Sequence, residues 1–227
     1  MNKILVVEDE DILREVIMDY LIEDGYQVLE AADGEKALEL FQSNSVDLVI
    51  LDIVLPKIDG WSVCRRIRKN WKNSSIPIII LTARSDEDDS LLGYELGADD
   101  YLIKPYSPRV LMAKVKRFLE KYSGTVDGML ISSGGIVINM GSRLVSVDGN
   151  TINLTHTEFE ILAYLMQNKG IVITREQLIS KIWGYDFYGD EKTVNSHIRN
   201  LRAKLGSKGS CIVTVIRSGY KFAEEQL

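Results

Sequence analysis

Four places in the chain carry residues that could do chemistry together. Glu8 and Asp9 directly follow the apolar run 4–7, and Asp52 follows the run 48–51. Thr82 ends the run 78–81, and Lys104 follows 101–103. Three carboxylates brought close repel one another, and a hard divalent cation with oxygen ligands relieves that repulsion. Mg2+ suits such a set, because it takes one or two carboxylates, a backbone carbonyl and waters, and adds a phosphoryl oxygen. A hydroxyl and an ammonium beside a metal-bound carboxylate are what an anionic phosphoryl group needs. Each residue also has an ordinary explanation. Asp52 and Thr82 would cap following helices, and residues 8–11 would be a solvated helix start favoured by the helix dipole. That account covers Glu10 and Asp11 but not Glu8. The agreement of all the run ends favours the chemical reading.

For these residues to meet, the runs must be neighbouring parallel strands. Strand-like runs at 4–7, 27–31, 48–51, 78–81 and 101–103 alternate with amphipathic segments near 12–24, 34–43, 60–70, 87–96 and 108–121. The run at 48–51 is apolar throughout, as a strand buried on both faces would be. Five such units predict a doubly wound α/β sheet with helices on both faces. Right-handed crossovers leave few topologies. The flavodoxin-like order 2-1-3-4-5 sets the ends of strands one and three side by side at the switch point. Pro56 and Asp59-Gly60 force a turn after Asp52. Lys104-Pro105 is a candidate cis peptide that would fix the direction of the Lys side chain.

The 227 residues allow one or two domains, with ordinary globular composition: 45% hydrophobic and 26% charged. No apolar run approaches the roughly 18 residues of a membrane span, and the short acidic N-terminus MNKILVVEDED is not a secretion signal. Cys64 and Cys211 stand in no metal-ligand spacing, so a reduced cytoplasm and two packing thiols are expected. The net charge of −6 hides an asymmetry. Residues 1–122 carry 16 Lys and Arg against 23 Asp and Glu, and residues 123–227 carry 11 against 10. From Lys192 to Lys221 there are seven basic residues and no acid. Two domains with different partners follow.

The Gly/Ser-rich stretch 123–135 reads as a flexible linker between domains 1–122 and 136–227. After it, short alternating runs predict a small antiparallel sheet with a turn at Asp148-Gly149. Thr155 and Glu158 form a capping box, and Thr174 with Gln177 opens a second helix. Asp190 would cap a third helix, from Glu191 to about Leu205. Val194, Ile198, Leu201 and Leu205 make its apolar stripe. Opposite lie Lys192, Ser196, Arg199, Asn200 and Ala203, flanked by His197, Arg202 and Lys204. That outer face suits a DNA major groove. The alternative is a solvated helix with basic residues at its C-terminal end, against which the lack of acids speaks. A strand at 212–216 and a hairpin at Ser218-Gly219 would follow.

VVEDE, LDIVLPKIDG, LTA and GADDYLIKP resemble the receiver domain of two-component response regulators over residues 1 to about 122. The resemblance implies that Asp52 accepts phosphate from a sensor histidine kinase. Glu8, Asp9 and the Val54 backbone carbonyl would help Asp52 hold Mg2+, and Lys104 would pair with the phosphate. Thr82 and Tyr101 would form the switch pair, the ring turning inward on phosphorylation. Haloacid-dehalogenase-like phosphotransferases share an Asp, Mg2+, Thr/Ser and Lys. Turnover there needs an acid two residues after the nucleophile, and Val54 cannot transfer protons. A regulator is therefore expected, not an enzyme. A pseudo-receiver that ignores phosphate is disfavoured, since every supporting residue is present.

LTHTEFEILAYLMQNKG, TREQLISKIWG, TVNSHIRNLRAKLG and the terminal GYKF resemble the winged-helix effector domain of the OmpR/PhoB subfamily. The resemblance implies that the third helix reads bases and that the wing at Arg217 and Tyr220 touches the minor groove or backbone. The loop 185–190 would face RNA polymerase. Phosphorylation would produce a homodimer on tandem half-sites of promoter DNA. The positions matching the subfamily's cross-subunit ion pair are Ser90 and Val110, both uncharged. Asp99, Asp100, Lys114, Arg117 and Lys121 are the remaining candidates for the dimer face. The wing lacks one residue of the usual Arg-Gly-x-Gly-Tyr turn, and Asn200 replaces a frequent Arg, pointing to adenine opposite it.

Overall fold

Five short apolar runs make one parallel sheet. In the computed structural model, which describes residues 1–69, 75–83, 96–119, 130–184, 187 and 191–224, these are β1 (Lys3–Val7), β2 (Gln27–Ala31), β3 (Leu48–Asp52), β4 (Ile78–Thr82) and β5 (Asp100–Ile103). Their order is β2-β1-β3-β4-β5, the flavodoxin-like order expected among the few topologies that the alternation allows. Val7 pairs with Leu51, and Asp52 with Leu81, so the chemically loaded ends lie level.

The pleat sends alternate side chains to opposite faces. Leu5, Val7, Val49 and Leu51 pack with Phe41 of α2 (Gly34–Ser43) and with Val63 and Ile67 of α3 (Gly60–Lys69). Ile4, Val6, Leu48 and Ile50 pack with Ile17 and Leu21 of α1 (Asp11–Glu23) and with Leu111, Val115 and Phe118 of α4 (Pro108–Leu119). Asp33 caps α2 by accepting from the Lys36 amide at 2.8 Å. The expected helix at 87–96 lies outside the described residues but for Leu96. Cys64 and Cys211 are both buried and free.

The chain divides into two units, residues 1–121 and 122–227. In the second, β6 (Leu130–Ser133), β7 (Ile136–Asn139), β8 (Leu144–Val147) and β9 (Asn150–Ile152) form an antiparallel sheet in chain order. The linker expected at 123–135 therefore stops short. Gly134 and Gly135, with φ of 61° and 82°, make a two-residue hairpin turn between β6 and β7. The small residues that read as a tether are turn residues.

Next come α5 (His156–Gln167), β10 (Ile173–Thr174), α6 (Arg175–Ile182) and α7 (Glu191–Leu205). A 3-10 turn (Gly206–Cys211), β11 (Ile212–Val215) and β12 (Gly219–Phe222) complete the unit, with sheet order β10-β12-β11. Both capping boxes form as expected, on Thr155 with Glu158 and on Thr174 with Gln177. Asp190, the expected cap of α7, lies outside the described residues. The tip of the wing is a three-residue loop, 216–218, closed by the Ser218 amide donating to the Val215 carbonyl at 3.0 Å. Arg217 takes the left-handed conformation there, with φ 62°. That costs a residue with a Cβ roughly 1–2 kcal/mol.

The first turn of α3 rests directly on the strand that ends in Asp52. A Cβ on Gly60 would stand 2.1 Å from the Asp52 carbonyl oxygen and 2.8 Å from the Ile53 Cα. Gly60→Ala should therefore destabilise the first unit by about 2 kcal/mol or more, read as a lowered urea midpoint. A midpoint equal to wild type would show that the helix can lift off at no cost.

Candidate functional site

The sheet brings the acidic and basic run ends together. Glu8 is fully buried, Asp52 and Thr82 are buried, and Asp9 is exposed. One carboxylate oxygen from each of Glu8, Asp9 and Asp52 lies within 4.8 Å of the others. The Lys104 ammonium donates to Glu8 Oε2 at 2.7 Å and makes a short contact with Asp52 Oδ2. The other Asp52 oxygen accepts from the Val54 amide at 3.0 Å. Arg14 donates to the Glu8 carbonyl at 2.8 Å, tying α1 to the end of β1. The Lys104-Pro105 bond is cis, as expected.

The electrostatics follow from crowding. Burial pushes the Glu8 carboxyl up to about 7; the Lys104 hydrogen bond pulls it down and the Asp52 charge pushes it up further. Burial works against the Lys104 ammonium, yet its bonds to Asp52 and Glu8 outweigh that and raise its pKa. The donor set is all hard oxygen. Adjacent ligands of an octahedral ion lie on the order of 3 Å apart, so the trio, spread over as much as 4.8 Å, would have to draw together to hold a small divalent cation. Tyr101 already faces inward, with its ring centroid 6.1 Å from that of Trp61. Tyr106 escaped the sequence reading. Its hydroxyl is buried with no hydrogen-bond partner among the described residues, and burial, then the charges of Glu8 and Asp52, raise its pKa.

In the second unit α7 buries a wider arc than its apolar stripe. Thr193, Ser196 and His197 are buried with Val194, Ile198, Leu201 and Leu205. The outward line is Lys192, Asn195, Arg199 and Ala203. Ser196 and His197 are thus turned away from the surface the wheel gave them. His197 packs on Trp183 with centroids 5.4 Å apart, a structural place. Tyr220 is also buried, and its hydroxyl donates to Asn195 Oδ1 at 2.6 Å. Arg202 donates to the Ile212 carbonyl at 2.6 and 3.0 Å and to Thr214. Lys204 pairs with Glu158 at 2.6 Å, joining the end of α7 to the capping box of α5. Asn200 is half-buried, and Arg217 is exposed on the wing. Asn195 was missed; it sits one position before Ser196, where a small error in the wheel's origin moves it to the wrong face.

Comparison with known proteins agrees for both units. Residues 4–116 match the response regulator receiver domain, and residues 149–222 match the C-terminal domain of transcriptional regulatory proteins. The chain is 41% identical to RegX3, a sensory transduction protein of Mycobacterium tuberculosis, covering 97% of this chain and 99% of that one. This protein is a response regulator of the OmpR/PhoB type. It is also 41% identical to the transcriptional regulatory protein YclJ of Bacillus subtilis, covering 98% and 100% of the two chains. Among solved structures, a variant of RitR matches with a TM-score of 0.78 at 27% identity, covering 99% and 100%. DrrB of Thermotoga maritima, an OmpR/PhoB homologue, matches with 0.53 at 33%, covering 98% and 99%. The regulator is a phosphorylation-dependent, DNA-binding transcription regulator.

The charges assigned to a dimer face are mostly spent inside the regulator's receiver. Asp99 is fully buried and pairs with Arg68 at 2.7 Å. Asp100 is fully buried between Lys114 at 2.7 Å and Arg117 at 2.8 Å. Lys114 is itself buried. These three face the interior and cannot offer charge to a second subunit. Arg117 is shared with Asp100. Ser90 and Lys121 lie outside the described residues.

The raised Glu8 fixes a sign. Its folded pKa exceeds the ordinary 4.5, so its stabilising protonation is complete below 4.5 and is lost as pH rises through about 7. Metal-free wild type should therefore lose urea resistance between pH 5 and pH 8 more steeply than Glu8→Gln. Parallel curves for the two proteins would contradict this electrostatic picture.

Proposed function

We propose that Asp52 takes a phosphoryl group from a sensor histidine kinase, and that the charge added there switches DNA binding. The observation that carries this reading is the Lys104 ammonium seated between Glu8 and Asp52, with Asp9 in reach. Glu8, Asp9, Asp52 and the Val54 carbonyl would hold Mg2+, which supplies positive charge against the incoming phosphoryl oxygens. Lys104 would leave its contact with Asp52 to pair with the phosphoryl group, and Thr82, at the end of β4, would hydrogen-bond it. Val54, exposed and apolar, gives no acid or base for hydrolysis, so the aspartyl phosphate persists as a signal rather than as a step of turnover.

Tyr101 and Thr82 would carry the change to β5, the edge strand, and to α4. Two phosphorylated chains would pair through that face, with Ile103, 39% exposed, giving apolar contact in place of most ion pairs. Two copies of α7 would then enter successive major grooves of promoter DNA. Lys192, Arg199 and Asn200 lie on or beside the outward face, Arg217 reaches from the wing, and Lys204 is free to exchange Glu158 for a phosphate. Arg202 and Tyr220 brace the wing against α7, and Ser196 and His197 pack beneath it. The segment 185–190, which lies outside the described residues except Phe187, would meet RNA polymerase. Among the described residues no helix is long and apolar enough to cross a membrane. With DNA as partner, the place of action is the cytoplasm.

After treatment with acetyl phosphate and Mg2+, wild type should give a retarded band on a phosphate-affinity gel, and Asp52→Ala none. An equally retarded Asp52→Ala band would move the acceptor elsewhere. Sedimentation should show the beryllofluoride-treated wild type as a dimer and the untreated chain as a monomer. A monomer under both conditions would remove the pairing step.

A further inference from the structure

Asn195 stands in the middle of the outward face of α7, one turn from both Lys192 and Arg199. Its side-chain oxygen is engaged twice. Arg175 Nε of α6 donates to Oδ1 at 3.1 Å, and the Tyr220 hydroxyl of β12 donates to the same atom at 2.6 Å. Guanidinium has no acceptor, so the amide atom facing Arg175 must be the oxygen. The Tyr220 hydroxyl shares that oxygen and is therefore the donor. An amide oxygen has two lone pairs, and both are taken.

The clamp is itself held. Tyr220 is buried, with the Arg175 guanidinium 5.1 Å and the Arg202 guanidinium 5.7 Å from its ring centroid. Arg175 also faces Glu191 at 3.6 Å. The remaining atom of the amide, Nδ2 with its two hydrogens, is left as the only functional edge of Asn195.

We propose that Asn195 is a base-reading residue that offers donors only. It would select an acceptor on the major-groove edge, guanine N7 and O6 or thymine O4, at one base pair of each half-site. An unconstrained asparagine favours adenine, because it pairs one donor and one acceptor with N6 and N7. Here the acceptor is withdrawn by α6 and the wing. The inference rests on the DNA-binding reading of α7 and adds to it a base preference set by two residues that themselves face inward.

Selection from a random duplex library, using the full chain treated with acetyl phosphate and Mg2+, tests this. Asn195→Asp keeps an oxygen toward Arg175 and Tyr220 but turns a second oxygen outward. It should shift one position per half-site from guanine or thymine to cytosine or adenine, by about tenfold. The double variant Arg175→Met with Tyr220→Phe frees the oxygen and should admit adenine there. Circular dichroism establishes that each variant is folded, and the double variant decides if Asn195→Asp is not. The proposal is overturned if the folded variants select the wild-type sequence throughout, or if Asn195→Asp weakens all sequences equally, as a phosphate contact or a purely structural residue would. A wild-type chain that enriches no sequence would instead overturn DNA reading by α7 as a whole.

Discussion

The receiver half depends on a charge balance at one rim of its sheet. Two buried carboxylates and an exposed one share the neighbourhood of a single ammonium. Burying an unpaired charge costs several kcal/mol, and removing one partner of a buried pair about 3–5. The fold meets that cost with geometry rather than with charge number. Lys104 comes from the last strand of the sheet, Glu8 from the second position in the order and Asp52 from the third, so the ion pair crosses the middle of the sheet.

The sheet order and this rim are legible in the sequence for one reason. In β1, β3, β4 and β5 an apolar run ends abruptly in a polar residue: Glu8, Asp52, Thr82 and Lys104. Strand ends are where backbone direction and burial both change, so residue type and position agree there. Asp99 and Asp100 follow the opposite logic. Two adjacent acids before a strand read as surface charge, and nothing local announces their partners. Arg68 lies 31 residues before Asp99, and Lys114 and Arg117 lie 14 and 17 after Asp100. Only the folded helices α3 and α4 bring those cations back.

The effector half shows the same limit on a smaller scale. A four-residue apolar stripe locates the buried side of α7 but not its width. The helix is packed by α5 on one flank and α6 on the other, so small and aromatic polar residues are enclosed along with the aliphatic ones. Ser196 and His197 lie at the edge of that enclosure. The capping boxes on Thr155 and Thr174 were legible because their hydrogen bonds are local, closing within four residues. The hairpin at Gly134-Gly135 was not, since glycine serves tethers and tight turns equally well.

The Asp100 triad has a mechanical meaning. One buried carboxylate grips two cations of α4, so the edge strand and that helix are riveted across their hydrophobic contact. Tyr101, the next residue along the strand, sits at the joint. A displacement at the aromatic ring would therefore be delivered to the helix surface as rigid motion, instead of being absorbed by sliding between strand and helix. Asp100, withheld from the receiver's surface, thus fastens that helix to the edge strand from within.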